Sequence, residues 1–189
     1  MSEAYAIVLF VHVFAAVALV GHSLSTPVIR NVIREADSLH DLRHWLAFAA
    51  RAGRLNPVAA VILLATGIYL GSYGWWGQPW FLVSIAAWLV NAALAGAVLK
   101  PSYKAVMSAA AKAGEGPVTA EVDELRQSRR LAVSEQAMLA SDVVILFVMF
   151  NKPGLIVCLA AMALVSVVLI VPAVVRRRAP APKAELAGA

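Results

Sequence analysis

"YAIVLFVHVFAAVALVG", residues 5–21, is an almost unbroken apolar run with one ionisable side chain, His12, in its middle. A bilayer core of ~30 Å needs about 20 mostly apolar residues per helix, and this run, extended to His22, meets that length. Residues 1–11 carry no Lys or Arg and the run shows no clear cleavage pattern, so it reads as a retained membrane helix and not a removed leader. The composition agrees: of 189 residues, 61% are hydrophobic and 14% charged, against roughly 25% charged in an ordinary soluble domain.

Working outward, five spans are predicted: about Ala4–His22, Pro57–Tyr73, Trp80–Leu99, Met138–Asn151 and Gly154–Val175. The fourth is short. It follows "ELRQSRRLAVSEQ", a helix-forming stretch without Gly or Pro, so its helix is expected to start well before the membrane and to enter it at about Met138. "NKPG" separates the fourth span from the fifth, because Pro153 and Gly154 do not readily continue a helix. With this count, the segments 25–56, 100–137 and the tail carry 5, 6 and 4 Lys and Arg, and the opposite side carries only Lys152. The asymmetry predicts an N-terminus outside and a C-terminus in the cytoplasm. "SYGWWGQPW", with Tyr73, Trp75, Trp76 and Trp80 and no charge, reads as an aromatic belt at the other interface.

The expected fold is therefore all-α: an integral membrane bundle of five transmembrane helices forming one domain over residues 1–176, with a disordered cytoplasmic tail at 177–189. "DSLHDLRHWLAFAARAGRL" adds an amphipathic helix between the first and second spans. It is capped at Asp37/Ser38, and Leu42, Trp45, Leu46 and Ala49 form one face that would lie in the membrane interface. His40 and His44, on its other face beside Asp41, have a spacing at which two imidazoles can share a metal; the competing reading is a solvated polar face. Further on, a Gly/Pro break at Gly114–Pro117 precedes a helix start at Thr119 or Glu121.

The net charge of +5 does not indicate nucleic acid, because the basic residues flank spans as topology requires. Membrane lipids are the expected contact, with a larger membrane complex or a homo-oligomer as the partner reading. No Gly-rich loop follows a strand, and no serine, histidine and acid are spaced as a hydrolytic triad. Cys158 is the only cysteine, so no disulfide forms within the chain.

Inside the spans an ionisable residue is costly and is by default a functional candidate. Two qualify, His12 and Asp142. Counted at ~1.5 Å per residue, His12 lies roughly 12 Å from Ala4 and Asp142 roughly 13 Å from Asn151, which puts the two level and facing each other. Trp88, Asn91 and Thr66 fall within a turn of that depth, and Met138 shares the Asp142 face. A His12–Asp142 contact can serve as helix-packing glue. It can equally hold haem or another metal on His12 with Asp142 behind it, or relay protons. Met138, Met149, another subunit or no ligand would complete a haem site, and the chain's scattered methionines and His12 are the available soft ligands for copper.

The stretches "HVFAAVALVGHSLSTP", "RLNPVAAVILLATGIYLG", "WFLVSIAAWLVNAALAG" and "RLAVSEQAMLASDVVILFVMFNKPG" resemble a superfamily of small bacterial inner-membrane proteins. That superfamily comprises the HemJ-type protoporphyrinogen oxidases, the CopD-like copper-resistance group and a related family of unknown function. The resemblance implies haem b on His12, which matches the haem-associated histidine of the first helix, with copper handling as the alternative. Where those oxidases carry a basic residue at the start of the third helix, "WFLVS" offers Ser84.

Overall fold

The computed structural model describes residues 2–175; the tail predicted to be disordered over 177–189 lies outside the described residues. Among the described residues all regular structure is helical: α1 (Glu3–Glu35), α2 (Leu39–Ala52), α3 (Asn56–Gly71), α4 (Pro79–Leu94), α5 (Lys100–Lys112), α6 (Ala120–Arg126), α7 (Arg129–Asn151) and α8 (Leu155–Val175). They join into five rods long and apolar enough to cross a membrane, since α2 continues into α3, α4 into α5 and α6 into α7. Large apolar side chains are left uncovered along these rods, Phe10, Phe14, Phe150 and Ile156 among them, as lipid-facing positions require.

Local chemistry sets the joints. A 3-10 turn at Gly53–Leu55 links α2 to α3, and Pro57 opens α3 where its missing N–H costs nothing. The widened π turn at Ala95–Leu99 precedes Pro101, which has no N–H for the Ala97 carbonyl and whose ring would collide with it in a regular α-helix. α1, at 33 residues, is about 50 Å long and overhangs a ~30 Å hydrocarbon core.

That overhang is built into protein at the basic end. Ile33, Leu39, Leu42, Leu46, Val106, Ala110 and Val122 form one closed core, with Trp45 and Ala49 packed against it. The apolar face predicted for the helix after the first span is thus present, and Ser38 caps it by accepting from the Asp41 N–H. Protein from α1, α5 and α6 covers that face, where the sequence suggested the membrane interface. Arginines close the helix ends: Arg43 donates from Nε (3.0 Å) and Nη2 (2.7 Å) to the Ala110 carbonyl, and Arg126 Nη1 donates to the carbonyls of Ile33 (2.9 Å) and Ala36 (2.6 Å). Both put positive charge on a helix C-terminus, where the dipole favours it. Thr119 caps α6 as expected.

The helix of the fourth span does start well before Met138, at Arg129, and "ELRQSRRLAVSEQ" also holds a break, because α6 ends at Arg126 and α7 restarts at Arg129. The reason is tertiary. The break brings Arg126 under the end of α1 and leaves the carbonyls of Arg126 and Ser128 to face Arg30 Nη2 at 3.4 and 3.5 Å.

At the other end Tyr5 meets Tyr73 (ring centroids 4.9 Å) and Trp75 (6.4 Å), and the Lys152 ammonium lies 5.2 Å from the Trp75 centroid and 5.7 Å from that of Trp80. The predicted belt is one aromatic cluster around the side's single cation. α8 packs mainly on α7, and also on α4, with Cys158 buried against Trp80, Phe81, Val144 and Val148.

Gly71 is the tightest helix contact: a Cβ built there would overlap the Phe81 ring. Gly71→Ala should therefore destabilise the bundle by about 1–3 kcal/mol, read as a lower melting temperature in detergent. Adding Phe81→Leu should recover most of the loss.

Candidate functional site

α7 carries Glu135 and Asp142 seven residues apart, two turns along one face, and α1 carries Ser23 and Arg30 at the same spacing. The two helices run antiparallel, so the pairs meet in two tiers about 10 Å apart. In the first, Arg30 Nη1 lies 2.8 Å from Glu135 Oε2, with side chains only 8% and 2% exposed, and Tyr103 donates its hydroxyl to Glu135 Oε1 at 2.5 Å. In the second, Ser23 Oγ donates to Asp142 Oδ2, and Asn91 Nδ2 donates to Asp142 Oδ1 at 2.7 Å. Each carboxylate is thus gripped by α1 on one side and by the α4–α5 rod on the other.

The tiers differ in charge balance. Glu135 is neutralised by Arg30, whereas Asp142 forms no ion pair among the described residues. Asn91, 8% exposed, uses its amide nitrogen on Asp142, and its Oδ1 has no hydrogen-bond partner among the described residues.

His12 belongs to a third, separate group. Its Nδ1 lies 2.9 Å from Thr66 Oγ1, and Thr66 donates its own hydroxyl proton to the Ile62 carbonyl at 2.6 Å. With that proton committed, Thr66 is placed to accept, which favours the tautomer carrying its hydrogen on Nδ1. Gly67 makes room for the ring: a Cβ there would lie 3.3 Å from His12 Cε1.

The expected His12–Asp142 pairing is therefore corrected. Asp142 is level with Ser23, eleven residues or about 16 Å along α1 from His12. The depth estimate set Ala4 level with Asn151. The contacts of Ser23 with Asp142 and of Arg30 with Glu135 instead place His12 beyond the end of α7, opposite Thr66 of α3. Of the other expected residues, Thr66 joins His12 and Asn91 joins Asp142, while Trp88 and Met138 are half-buried and take part in neither set of hydrogen bonds. Met138 lies on α7 between Glu135 and Asp142, more than two turns from any residue level with His12, so it is not a partner for that imidazole. His40 and His44 are exposed on α2, and among the described residues no group of three or more His, Cys, Asp or Glu is assembled.

Ser23, Arg30 and Tyr103 were outside the sequence-derived site. The one sequence signal for them was the matched seven-residue spacing of Ser23/Arg30 and Glu135/Asp142.

A family model described as predicted integral membrane protein (DUF2269) matches residues 6–153, a stretch that holds both tiers and His12 and stops before α8. No curated protein and no solved structure matches the chain.

Removing one partner of a buried ion pair strands the other. Arg30→Met should cost about 3–5 kcal/mol of stability in a detergent unfolding measurement, and Arg30→Met/Glu135→Met together should recover most of it.

Proposed function

The chain belongs to that family of predicted integral membrane proteins, and from this premise we propose that it is a redox or haem-pathway membrane protein that holds a haem b on His12. The observation that carries this reading is the Thr66 contact, which orients the imidazole and favours Nδ1 as its donor, so that Nε2 would be the ligating atom. Metal-bound histidines are oriented in this way, by a partner on the other ring nitrogen. The resemblance of the first helix to that of the HemJ-type enzymes adds to it.

The residues present fit a one-point attachment. His12 supplies one nitrogen, Thr66 orients it and Gly67 lets the ring lie against α3. Met149 packs with the Trp80 and Phe81 cluster on the α8 side, so of the ligands considered among the described residues His12 is the one left. A haem held there would supply one-electron chemistry. The protein's own part is to orient the ring and keep it neutral. In this reading the basic end faces the cytoplasm of a bacterial cell and the aromatic cluster faces outward.

The test is the absorption spectrum of protein purified in mild detergent. A Soret band should be present and should vanish in His12→Ala. Thr66→Val, which removes the acceptor for Nδ1–H, should keep the fold and weaken haem affinity about 10–100-fold. A preparation with no Soret band, or a band unchanged in His12→Ala, contradicts the reading. Stoichiometric copper without haem would move the assignment to copper.

A further inference from the structure

Asp142 poses a charge problem that Glu135 does not. Both of its carboxylate oxygens accept hydrogen bonds, from Ser23 Oγ and Asn91 Nδ2, which is how a protein solvates an ionised carboxylate. No cation of the described residues pairs with it, and its side chain is only partly exposed. An ionised carboxylate inside a membrane bundle is costly without a positive charge beside it.

Three oxygens of the two residues that hydrogen-bond it lack a full complement of donors or can turn toward a cation. Asn91 Oδ1 is an unpartnered acceptor on a side chain more than nine-tenths buried, and a half-turn of the amide exchanges it with the Nδ2 now on Asp142. Ser23 Oγ touches the carboxylate and, once its hydrogen turns away, offers a lone pair. The Ser23 backbone carbonyl loses its helical donor because residue 27, four further on, is Pro27, which has no N–H. The neighbouring carbonyl of His22, in contrast, receives hydrogen bonds from both Ser25 Oγ (2.7 Å) and Thr26 Oγ1 (3.0 Å).

We propose that Ser23, Asn91 and Asp142 form a binding site for one sodium ion inside the bundle. A single carboxylate matches a monovalent charge. The donor set is all oxygen, with no sulfur or imidazole, which suits a hard cation and not a transition metal. A carboxylate joined by side-chain oxygens and a backbone carbonyl freed from its helix is the ligand chemistry by which membrane helices take up dehydrated sodium. The site lies about 16 Å along α1 from His12, so it does not depend on the cofactor reading.

The experiment is a thermal melt of the full-length protein in detergent at fixed pH, with sodium chloride replaced stepwise by choline chloride at constant ionic strength and potassium chloride as a second control. Sodium should raise the melting temperature by roughly 3–6 °C per tenfold increase above half-saturation, with little effect of potassium. Asp142→Asn, which keeps the shape and removes the charge, should abolish the sodium response. Should that variant fail to fold, Ser23→Ala and Asn91→Ala serve instead; each should move half-saturation to at least about tenfold higher sodium. Equal melting in sodium and choline, or a full sodium response in Asp142→Asn, overturns the proposal. So does a melting temperature that follows pH through Asp142 and ignores sodium, which would assign the site to a proton.

Discussion

The antiparallel register of α1 and α7 is the constraint on which the rest of the molecule depends. It is held by two polar contacts seven residues apart on each helix, Arg30 with Glu135 and Ser23 with Asp142. Between helices in lipid, apolar packing gives little preference for one register over another, because lipid tails are as apolar as leucine. A buried ion pair discriminates strongly. Sliding either helix by one turn would leave Arg30 and Glu135 each unpaired, at a cost of several kcal/mol. The stability such a pair adds is small compared with the cost of separating it, so its main contribution is to specify alignment.

Other features follow from that alignment. With Arg30 fixed at Glu135, α1 and α7 end flush at the basic end, and α1 extends past α7 at the aromatic end. At the basic end the terminus of α1 is closed by α2, α5 and α6 into a core of ordinary soluble character, with Arg126 and Arg43 satisfying the exposed carbonyls of α1 and α5. At the aromatic end it leaves His12 without a facing residue on α7, and α3 supplies Thr66 and Gly67 in its place. The same register that separates His12 from Asp142 gives each a different chemistry: an oriented neutral imidazole on one side, and a hydrogen-bonded carboxylate lacking a counter-ion on the other.

The sequence made the rods legible and left their alignment hidden. The five apolar helices, the Ser38 and Thr119 caps and the aromatic cluster all follow from local residue types, and all are present. The apolar face of Leu42 and Leu46 was readable, but its cover was not, because periodicity says which side is apolar and nothing about what covers it. The break at Gln127–Ser128 has no Gly or Pro to announce it; it serves Arg30 and Arg126, whose partners lie about 90 residues away or more. Depth counted from span ends misplaced Asp142 by about 16 Å along α1, because it assumed that hydrophobic segments start level. Ser23, one residue past the predicted end of the first span, stayed out of the expected site for the same reason.

The account rests on Ser23, and not His12, facing Asp142, and cysteine cross-linking measures this directly. In a Cys158→Ser background, Ser23→Cys/Asp142→Cys should oxidise to an intrachain disulfide in detergent micelles, since side chains in hydrogen-bond contact bring the backbones within bridging reach. His12→Cys/Asp142→Cys should remain reduced under the same oxidant. Efficient cross-linking of the His12 pair, with none for the Ser23 pair, would contradict the register and with it both the separation of the imidazole from the carboxylate and the sodium site.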